Sequence, residues 1–320
     1  MYRNLITIPT KGMSREEWLH ERQHGIGGSD AGAIIGVNTY RSPYYVWGDK
    51  LGKLPPKEDN EAMRQGRDLE EYVAQRFTEA TGKKVKRKNA IIHNPDYPFA
   101  HANLDRVVVG EDSILECKTC SELQLTKYKS GEYPASYYVQ CMHYMMVTGC
   151  KKVYLAVLVY SRDFFIFEIQ RDEEEIKALA EAEANFWNDY VLTETPPPVD
   201  GSDSTRVALG GIYDKPYSGG LLATTEISRT LTELEYLKAQ KKSLDQEIQL
   251  KENTIKDFMG DNEVLTGDSM IITWKSQTRN SFDSKAFIAD HPDEDFSKYY
   301  KSTSSRVLRV IKPKAKEASE

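Results

Sequence analysis

The spacing of hydrophobic positions predicts alternating helices and strands over roughly the first 190 residues. Ser14 and Glu17 form a capping-box pattern, which predicts a helix from there to about Gln23. Apolar positions at helical spacing predict four more helices, which begin at Ser42 or span 61–81, 134–149 and 172–190. Alternating or continuous apolar runs predict strands, namely a hairpin over 103–119 with its turn at 110–113, and a pair at 152–160 and 164–169. Together these elements predict an α/β core in which helices flank a mixed sheet.

A Pro-stiff, polar stretch that begins at Thr195 is typical of a linker and separates this core from the rest of the chain. Beyond it, apolar residues at roughly heptad spacing predict a long helix over 225–259, in which Lys241 and Lys251 interrupt the seam. We expect this helix to pack on the core or on a second subunit. The remaining candidates are strands at 270–274 and 306–311, a short helix near 284–289, and a disordered Lys-rich tail. The predicted divisions are a core over 1–194, a linker over 195–224, and a helical plus small β extension over 225–320.

Composition excludes some functions without choosing one. The 320 residues are 39% hydrophobic and 29% charged, and the net charge of −6 argues against a general nucleic-acid coat. An enzyme that gathers its positive charge in one channel remains compatible with that charge. No apolar run approaches the ~18 residues of a membrane span, and the N-terminus has no signal-peptide core, so we expect a cytoplasmic protein. The four cysteines lack the spacing of a zinc or iron–sulfur site, and we expect neither.

Candidate chemistry concentrates in the hairpin at 103–119. Asp105 is placed on its first strand, and Glu116 and Lys118 on its second. Because successive strand side chains point to opposite faces, Glu116 and Lys118 share a face, with Asp105 across the hairpin. Carboxylates beside one ammonium suit Mg²⁺ or Mn²⁺, which prefer oxygen ligands. A surface hairpin with a cross-strand ion pair is the alternative, and these residues alone do not decide between them.

Glu70 is the next candidate, because it leans toward the apolar face of the helix at 61–81. It falls near Val73 and Phe77 in the helical repeat, whereas Glu71 falls on the polar side. An inward carboxylate needs a partner, which a metal ion or an arginine would supply. A glutamate on the helix surface is the alternative.

A glycine-rich segment at 25–36 suggests an anion site. Ser29 and Asp30 can cap the small-residue helix predicted there, and Arg22 lies just upstream. Free N–H groups at a helix start, with a hydroxyl and a guanidinium nearby, are typical of anion binding. An ordinary turn between two helices is the alternative.

Two further features stay open at this point. The basic segment at 83–88 fits either a solvated edge strand or a contact with a phosphate backbone. Gln140, on the helix that follows Pro134, could reach a neighbouring cleft. His143, on the same helix, is expected to be structural.

Several motifs, taken in order over about residues 14–190, resemble the YqaJ-like phage recombinase nucleases, relatives of phage lambda exonuclease in the PD-(D/E)xK superfamily. They are Arg22 with Gly25-Ile-Gly-Gly-Ser-Asp30, Ser42-Pro-Tyr with Trp47, Gly66-Arg-Asp-Leu-Glu70, Leu104-Asp105, Leu115-Glu-Cys-Lys-Thr119, and Tyr138-Val-Gln-Cys-Met-His-Tyr-Met-Met-Val-Thr-Gly149. The C-terminal third looks like an extension of some Gram-positive phage members. One departure is that Leu104, rather than proline, precedes the aspartate.

The resemblance implies a restriction-endonuclease-like core and a role for each candidate residue. The implied ligands of one or two Mg²⁺ ions, or of Mn²⁺, are Asp105, Glu116, the backbone carbonyl of Cys117, and Glu70. Lys118 would orient or deprotonate the attacking water. Arg22, Ser29 and Gln140 would bind the terminal 5′-phosphate of a DNA strand.

The implied function is metal-dependent 5′→3′ degradation of linear double-stranded DNA, which leaves 3′ single strands for phage-type recombination. The implied partners are DNA ends, a single-strand annealing protein, and copies of the chain in a trimeric ring. The protein would come from a phage or prophage and act in the bacterial cytoplasm. The alternatives are a Cas4- or RecB-type nuclease, which would usually carry iron–sulfur cysteines, and a non-catalytic protein that binds DNA ends on a nuclease fold.

Overall fold

A computed structural model of the chain describes residues 4–56, 59–160, 162–301 and 306–310. The chain divides into two compact units, Met1–Lys215 with Ser305–Glu320, and Pro216–Ser304. Within the described ranges, no helix has the length and apolar character needed to cross a membrane.

The first unit contains helices and strands in mixed order. Its helices are α1 (Arg15–Gln23), α2 (Gly28–Ile34), α3 (Pro43–Lys50), α4 (Glu61–Thr81), α5 (Leu125–Lys129), α6 (Ala135–Thr148), α7 (Glu173–Phe186) and α8 (Asp203–Ile212). Its strands are β1 (Ile6–Pro9), β2 (Ile26–Gly27), β3 (Val85–Lys86), β4 (Ala90–His93), β5 (Ala100–Asn103), β6 (Arg106–Val108), β7 (Ser113–Cys120), β8 (Lys152–Val159) and β9 (Asp163–Gln170). A π-helical turn at Trp187–Val191 extends α7.

Local capping fixes the helix ends where the sequence predicted them. Ser14 caps α1 in a complete capping box with Glu17. Asn60 caps α4 by accepting the N–H of Met63 at 2.9 Å. Gly82 ends α4 with a φ of 71°, a left-handed conformation that disfavours residues with a Cβ.

The predicted mixed sheet is confirmed as five strands in the order β3-β6-β7-β8-β9. β7 and β8 are parallel and the other neighbours are antiparallel. On one face, Val73 and Phe77 of α4 pack with Leu115 of β7. On the other face, Ile114 of β7 and Met145 of α6 belong to the largest buried cluster. The sheet therefore has helices on both faces, as an α/β core requires.

A second sheet, which the sequence pattern did not predict, has four strands in the order β1-β4-β5-β2. Its strands β4 and β5 pack against α6, so α6 contacts both sheets. β2 pairs with β5 in parallel immediately before α2 begins. This pairing fixes the glycine-rich segment beside the core.

The predicted linker at 195–224 is wrong as a continuous linker, because it contains α8. α8 packs on α3, where Thr205 Oγ1 donates to Ser42 Oγ at 2.8 Å and Ser204 Oγ accepts the N–H of Ser42 at 3.0 Å. The division between the compact units falls after Lys215. The helix belongs to the first unit because it buries Ala208 in the cluster around Trp47.

The second unit contains the predicted long helix α9 (Thr225–Met259), the predicted short helix α10 (Ser284–Asp290), and the antiparallel pair β10 (Val264–Thr266) and β11 (Ile271–Thr273). Along α9, only Met259 is buried. The predicted strand at 306–311 is wrong over 306–310, which form no strand, and Ile311 lies outside the described residues. The Lys-rich tail at 311–320, expected to be disordered, also lies outside them.

Candidate functional site

Asp105 lies in a bend between β5 and β6, and not on a strand as the sequence pattern suggested. The β6–β7 pairing ends at Arg106 and Leu115. Beyond that point, Oδ2 of Asp105 accepts the N–H of Cys117 at 2.8 Å, so a side chain replaces a backbone ladder bond. The N–H and C=O of one strand residue point to the same edge, so the carbonyl of Cys117 faces the side on which Asp105 lies.

Glu116 and Lys118 share a face of β7, as the two-residue period predicted. Glu116 is buried, and its Oε1 lies 2.7 Å from Nζ of Lys118. The neighbouring residues Leu115 and Cys117 pack on the opposite face, against α4. The alternation therefore places one carboxylate and one ammonium on the side of the sheet that α6 covers.

Gln140 of α6 joins these two charged groups. Its Nε2 donates to Oε1 of Glu116 at 2.7 Å, and its Oε1 accepts from Nζ of Lys118 at 2.9 Å. The same Nε2 donates to the hydroxyl of Tyr144 at 2.8 Å. The amide can bind both charged groups because it carries a donor and an acceptor. Gln140 is buried, so it holds Glu116 and Lys118 in fixed positions.

The charges of the cluster shift the pKa values of Asp105 and Lys118. Burial raises the pKa of Asp105 well above its usual range, and the charges of Glu116 and Glu70 raise it further. Burial tends to lower the pKa of Lys118, but the carboxylates of Glu116 and Asp105 outweigh it and raise that pKa. The cluster therefore has more negative charge than its neighbours neutralise, and it favours a cation.

Glu70 reaches toward this cluster from α4 and finds an arginine, one of the two partners that the sequence allowed. Arg106 is 2% exposed and pairs with Glu70 and, at 3.0 Å, with Oε2 of Glu71. Its Nη1 also donates to the carbonyl of Asp105 at 2.6 Å. Arg106 thereby ties α4 to the bend that carries Asp105. Arg106 was not among the residues predicted from the sequence, although it directly follows Asp105 and is the partner that Glu70 requires.

The donors in this cluster suit a divalent cation by chemical type, but they are not preassembled around one. Within the described ranges, no three His, Cys, Asp or Glu side chains form a ready metal cage. Glu70 is engaged by Arg106, and Glu116 by Lys118. The oxygen-only donor set matches Mg²⁺ or Mn²⁺. A bound cation would have to draw these carboxylates away from their present partners.

Arg22 and Ser29 lie together, as the anion site requires. Nη2 of Arg22 donates to Oγ of Ser29 at 3.0 Å, and the guanidinium stands 4.6 Å from the ring centre of Trp18. Ser29 does not cap α2, because Gly27 is the N-cap, whereas Asp30 does, by accepting the N–H of Gly27 at 3.1 Å from the third helical position. The helix starts one residue before Ser29, which leaves the serine hydroxyl exposed.

Asp30 is also the buried centre of an ion-pair network. Its carboxylate lies 2.7 Å from Nζ of Lys50 and 3.1 Å from Nη1 of Arg41, and it accepts the N–H of Gly27. Burial tends to raise the pKa of Asp30, but these two cations and Arg22 outweigh it and hold the pKa far below its usual range. Lys50 also donates to the carbonyl of Arg22 at 2.9 Å. The network, which sequence reasoning missed, fixes the backbone on both sides of the anion site.

Gly28 brings the anion site against the charged cluster. A Cβ at this position would stand 2.6 Å from Cε1 of Tyr144 and 3.1 Å from Cγ of Gln140. A residue larger than glycine would force Tyr144 to move. The close approach places Ser29, the next residue, near the amide that binds Glu116 and Lys118.

A cavity of about 210 Å³ adjoins the same cluster. Its lining includes Trp18, Glu70, Arg87, Lys88, Asn103 and Asp105. Asp105 and Glu70 therefore border the cavity, whereas Glu116 and Lys118 are not among its lining residues.

His143 has the structural role expected of it. Nδ1 lies 2.8 Å from Oε1 of Glu183, and Nε2 lies 2.9 Å from the carbonyl of His101. Both residues of the pair are fully buried. Burial tends to lower the pKa of His143, but the carboxylate of Glu183 outweighs it and raises that pKa.

Comparison with known proteins gives the chain a family. The YqaJ-like viral recombinase domain matches residues 17–151. YqaJ of Bacillus subtilis (strain 168) is 40% identical over 285 residues, which are 88% of this chain and 89% of that protein. Among solved structures, the alkaline exonuclease LHK-Exo of Laribacter hongkongensis is 21% identical with a TM-score of 0.49, over 56% of this chain and 94% of that chain. A phage-related exonuclease of Haemophilus somnus 129PT is 17% identical with a TM-score of 0.41, over 55% of this chain and 99% of that chain.

Proposed function

Because the chain belongs to the family of YqaJ-like viral recombinases, which its motifs predicted, we propose that it is a metal-dependent DNA exonuclease. It would degrade linear double-stranded DNA in the 5′→3′ direction and leave 3′ single strands for recombination. The observation that carries this proposal is the position of Gln140. Its amide binds Glu116 and Lys118, and its side chain packs against the backbone beside Ser29.

The residues of the charged cluster would hold a divalent cation and the water that attacks the phosphodiester. The cation, Mg²⁺ or Mn²⁺, would be bound by Asp105, Glu116, Glu70 and the carbonyl of Cys117. When bound, such an ion lowers the pKa of water and stabilises the attacking and leaving oxygens. Lys118 would orient the water, because its raised pKa keeps it an ammonium, which Glu116 and Gln140 already hold in position.

The 5′→3′ direction would come from the anion site. The guanidinium of Arg22 and the hydroxyl of Ser29 would bind a terminal 5′-phosphate by charge-assisted hydrogen bonds. Gln140 was predicted to join them, but its amide is engaged by Glu116 and Lys118. We therefore assign Gln140 to a position between the site of the terminal 5′-phosphate and the charged cluster, where the phosphodiester would be cleaved.

The proposed activity is tested by digesting linear duplex DNA, with and without a 5′-phosphate, in Mg²⁺ and in EDTA. We expect Mg²⁺-dependent loss of 5′-phosphorylated strands. In Lys118→Ala, we expect the rate of this loss to fall by at least about 100-fold. Lys177→Ala is the matched control, because Lys177 is an exposed lysine on α7. Binding of DNA without any cutting would instead support a non-catalytic protein that binds DNA ends.

The anion site is tested separately by Arg22→Gln. We expect this variant to cut in Mg²⁺ but to lose the preference for 5′-phosphorylated ends. If the intact chain cut 5′-phosphorylated and unphosphorylated ends at the same rate in Mg²⁺, the proposed anion site would be contradicted, whereas the proposed metal site would still stand.

We also propose that the chain forms a trimeric ring around DNA and works with a single-strand annealing protein. The setting would be the bacterial cytoplasm, with a phage or prophage as the source. A ring would let an acidic exterior surround a basic bore, which reconciles the net charge of −6 with a DNA substrate. Light scattering of the intact chain tests the ring, and a monomer at all concentrations would contradict it.

A further inference from the structure

The basic segment at 83–88 is a feature that the proposed function does not use. Its strand, β3, comprises only Val85 and Lys86. The following residues Arg87, Lys88 and Asn89 line the cavity that Asp105 and Glu70 also line. A merely solvated edge strand would carry its cations away from any cavity, whereas here two of them stand in the wall beside the carboxylates.

Arg87 is held at the cavity by a chain of alternating charges. Its Nη2 lies 2.8 Å from Oε2 of Glu71, and the same oxygen pairs with Arg106 at 3.0 Å. Arg106 in turn pairs with Glu70. A guanidinium carries five N–H donors, so Arg87 keeps donors for a ligand while Glu71 fixes its position.

Lys88 is the freer of the two cations. It is exposed, and the described part of the chain gives it no ion-pair partner. An ammonium that lines a cavity next to Asp105 without pairing is available to an anion. The only anion that the proposed substrate brings to this cavity is a phosphate.

Trp18 connects the cavity to the anion site of Arg22. Trp18 lines the cavity, and the guanidinium of Arg22 stands 4.6 Å from the centre of the same ring. The cavity wall thus carries the carboxylates Asp105 and Glu70 and the cations Arg87 and Lys88, and Trp18 in the same wall contacts Arg22. Such an arrangement suits a nucleic-acid strand with more than one phosphate bound.

We propose that Arg87 and Lys88 form a second phosphate-binding element, which holds an internal phosphodiester of the strand being cleaved. This inference rests on the proposed exonuclease function and adds a contact distinct from the terminal 5′-phosphate site. A contact to the backbone is independent of base sequence and depends on salt. Its loss therefore weakens binding of all DNA sequences and reduces the salt dependence.

The test measures binding of a 5′-phosphorylated duplex by fluorescence anisotropy, with Lys118→Ala as the background so that the DNA stays intact. Salt is varied from about 50 to about 200 mM in the presence of Mg²⁺. Lys88→Gln is compared with Lys177→Gln, which removes an exposed lysine from α7. The thermal melting of both variants is measured first, and both are expected to match the parent because both side chains are exposed.

We expect Lys88→Gln to bind DNA several-fold more weakly, with the slope of log K against log salt shallower by about one. The affinity ratio between 5′-phosphorylated and 5′-hydroxyl ends should be unchanged, whereas Arg22→Gln should lose it. Identical affinity and slope in Lys88→Gln and Lys177→Gln would overturn the second element and leave the exonuclease proposal standing. If the Lys118→Ala background protein bound no DNA at all, both the second phosphate-binding element and the exonuclease proposal would be overturned.

Discussion

Two aspartates in this molecule, Asp30, which is buried, and Asp105, which is half-buried, have opposite electrostatic surroundings. Asp30 lies within 3.1 Å of two cations, Lys50 and Arg41, and its pKa is held far below its usual range. Asp105 accepts one peptide N–H and has Glu116 and Glu70 nearby, and burial and these charges raise its pKa. We call the surroundings of Asp30 the satisfied region, because cations neutralise its carboxylate. We call the surroundings of Asp105 the crowded region, because other carboxylates lie close to it.

The difference indicates what each region can accept. Around Asp30, cations outnumber carboxylates, so the guanidinium of Arg22 remains available to an anion. Around Asp105, carboxylates outnumber Lys118 and Arg106, so the region favours an added cation. A phosphodiester hydrolase needs both kinds of site side by side.

The largest expected effect comes from breaking the satisfied region. Asp30→Asn leaves Lys50, whose side chain is 2% exposed, as a buried cation without its closest carboxylate. We expect the free energy of unfolding, measured with urea at pH 7, to fall by about 3–5 kcal/mol.

Asp203→Asn is the control, because the side chain of Asp203 is 90% exposed in its pair with Arg206. That pair should contribute less than about 1 kcal/mol. If Asp30→Asn lost no more than the control, the network around Asp30 would not be a source of stability.

Filling the crowded region should have a somewhat smaller effect, in the opposite direction. A divalent cation that binds only the folded chain stabilises it by about 2.7 kcal/mol at a concentration 100 times its Kd. We therefore expect Mg²⁺ or Mn²⁺ to raise the melting temperature, measured by calorimetry against EDTA at equal ionic strength. An equal rise in a variant with both Asp105→Asn and Glu116→Gln would place the cation elsewhere.

The sequence predicted those features of the site that depend on local spacing. The period of a strand placed Glu116 and Lys118 on one face of β7. The helical repeat turned Glu70 inward on α4, and the predicted bounds of that helix, 61–81, are confirmed. Each of these features is decided within a few residues of chain, so one sequence suffices to read it.

Partners from distant parts of the chain could not be predicted in this way. Lys50 meets Asp30, and Arg106 meets Glu70, only after the fold has formed. The second sheet was missed because its strands have two to four residues and too little alternation to register. α8 was missed because it follows a proline run, and its stability comes from packing on α3.

At acid pH, the intact chain and Asp30→Asn should differ less in their free energies of unfolding. The pKa of Asp30 is lower in the folded chain than in the unfolded chain, where it is about 3.9. Its stabilising effect is therefore complete above that value and is lost as the pH falls below it. We expect the stability gap between the intact chain and Asp30→Asn to shrink by about 1 kcal/mol between pH 6 and pH 3. A gap that widened in acid would contradict the depressed pKa.

The smallest effect is the most direct test of the comparison, because it applies the same substitution to the crowded region. Asp105→Asn keeps an oxygen that can accept the N–H of Cys117, but it removes a charge that Glu116 and Glu70 repel. In EDTA at pH 8, we expect the variant to be more stable than the intact chain by about 0.5–1 kcal/mol. The folded-state pKa of Asp105 is raised, so this gain should shrink as the pH falls through that raised pKa and be gone below about 3.9, where the carboxyl group is protonated in both states. Asp68→Asn, which changes an exposed aspartate on α4, should show neither effect. A loss of stability in EDTA would mean that Asp105 is satisfied in the way that Asp30 is, and the two regions would then not differ in the charge they can accept.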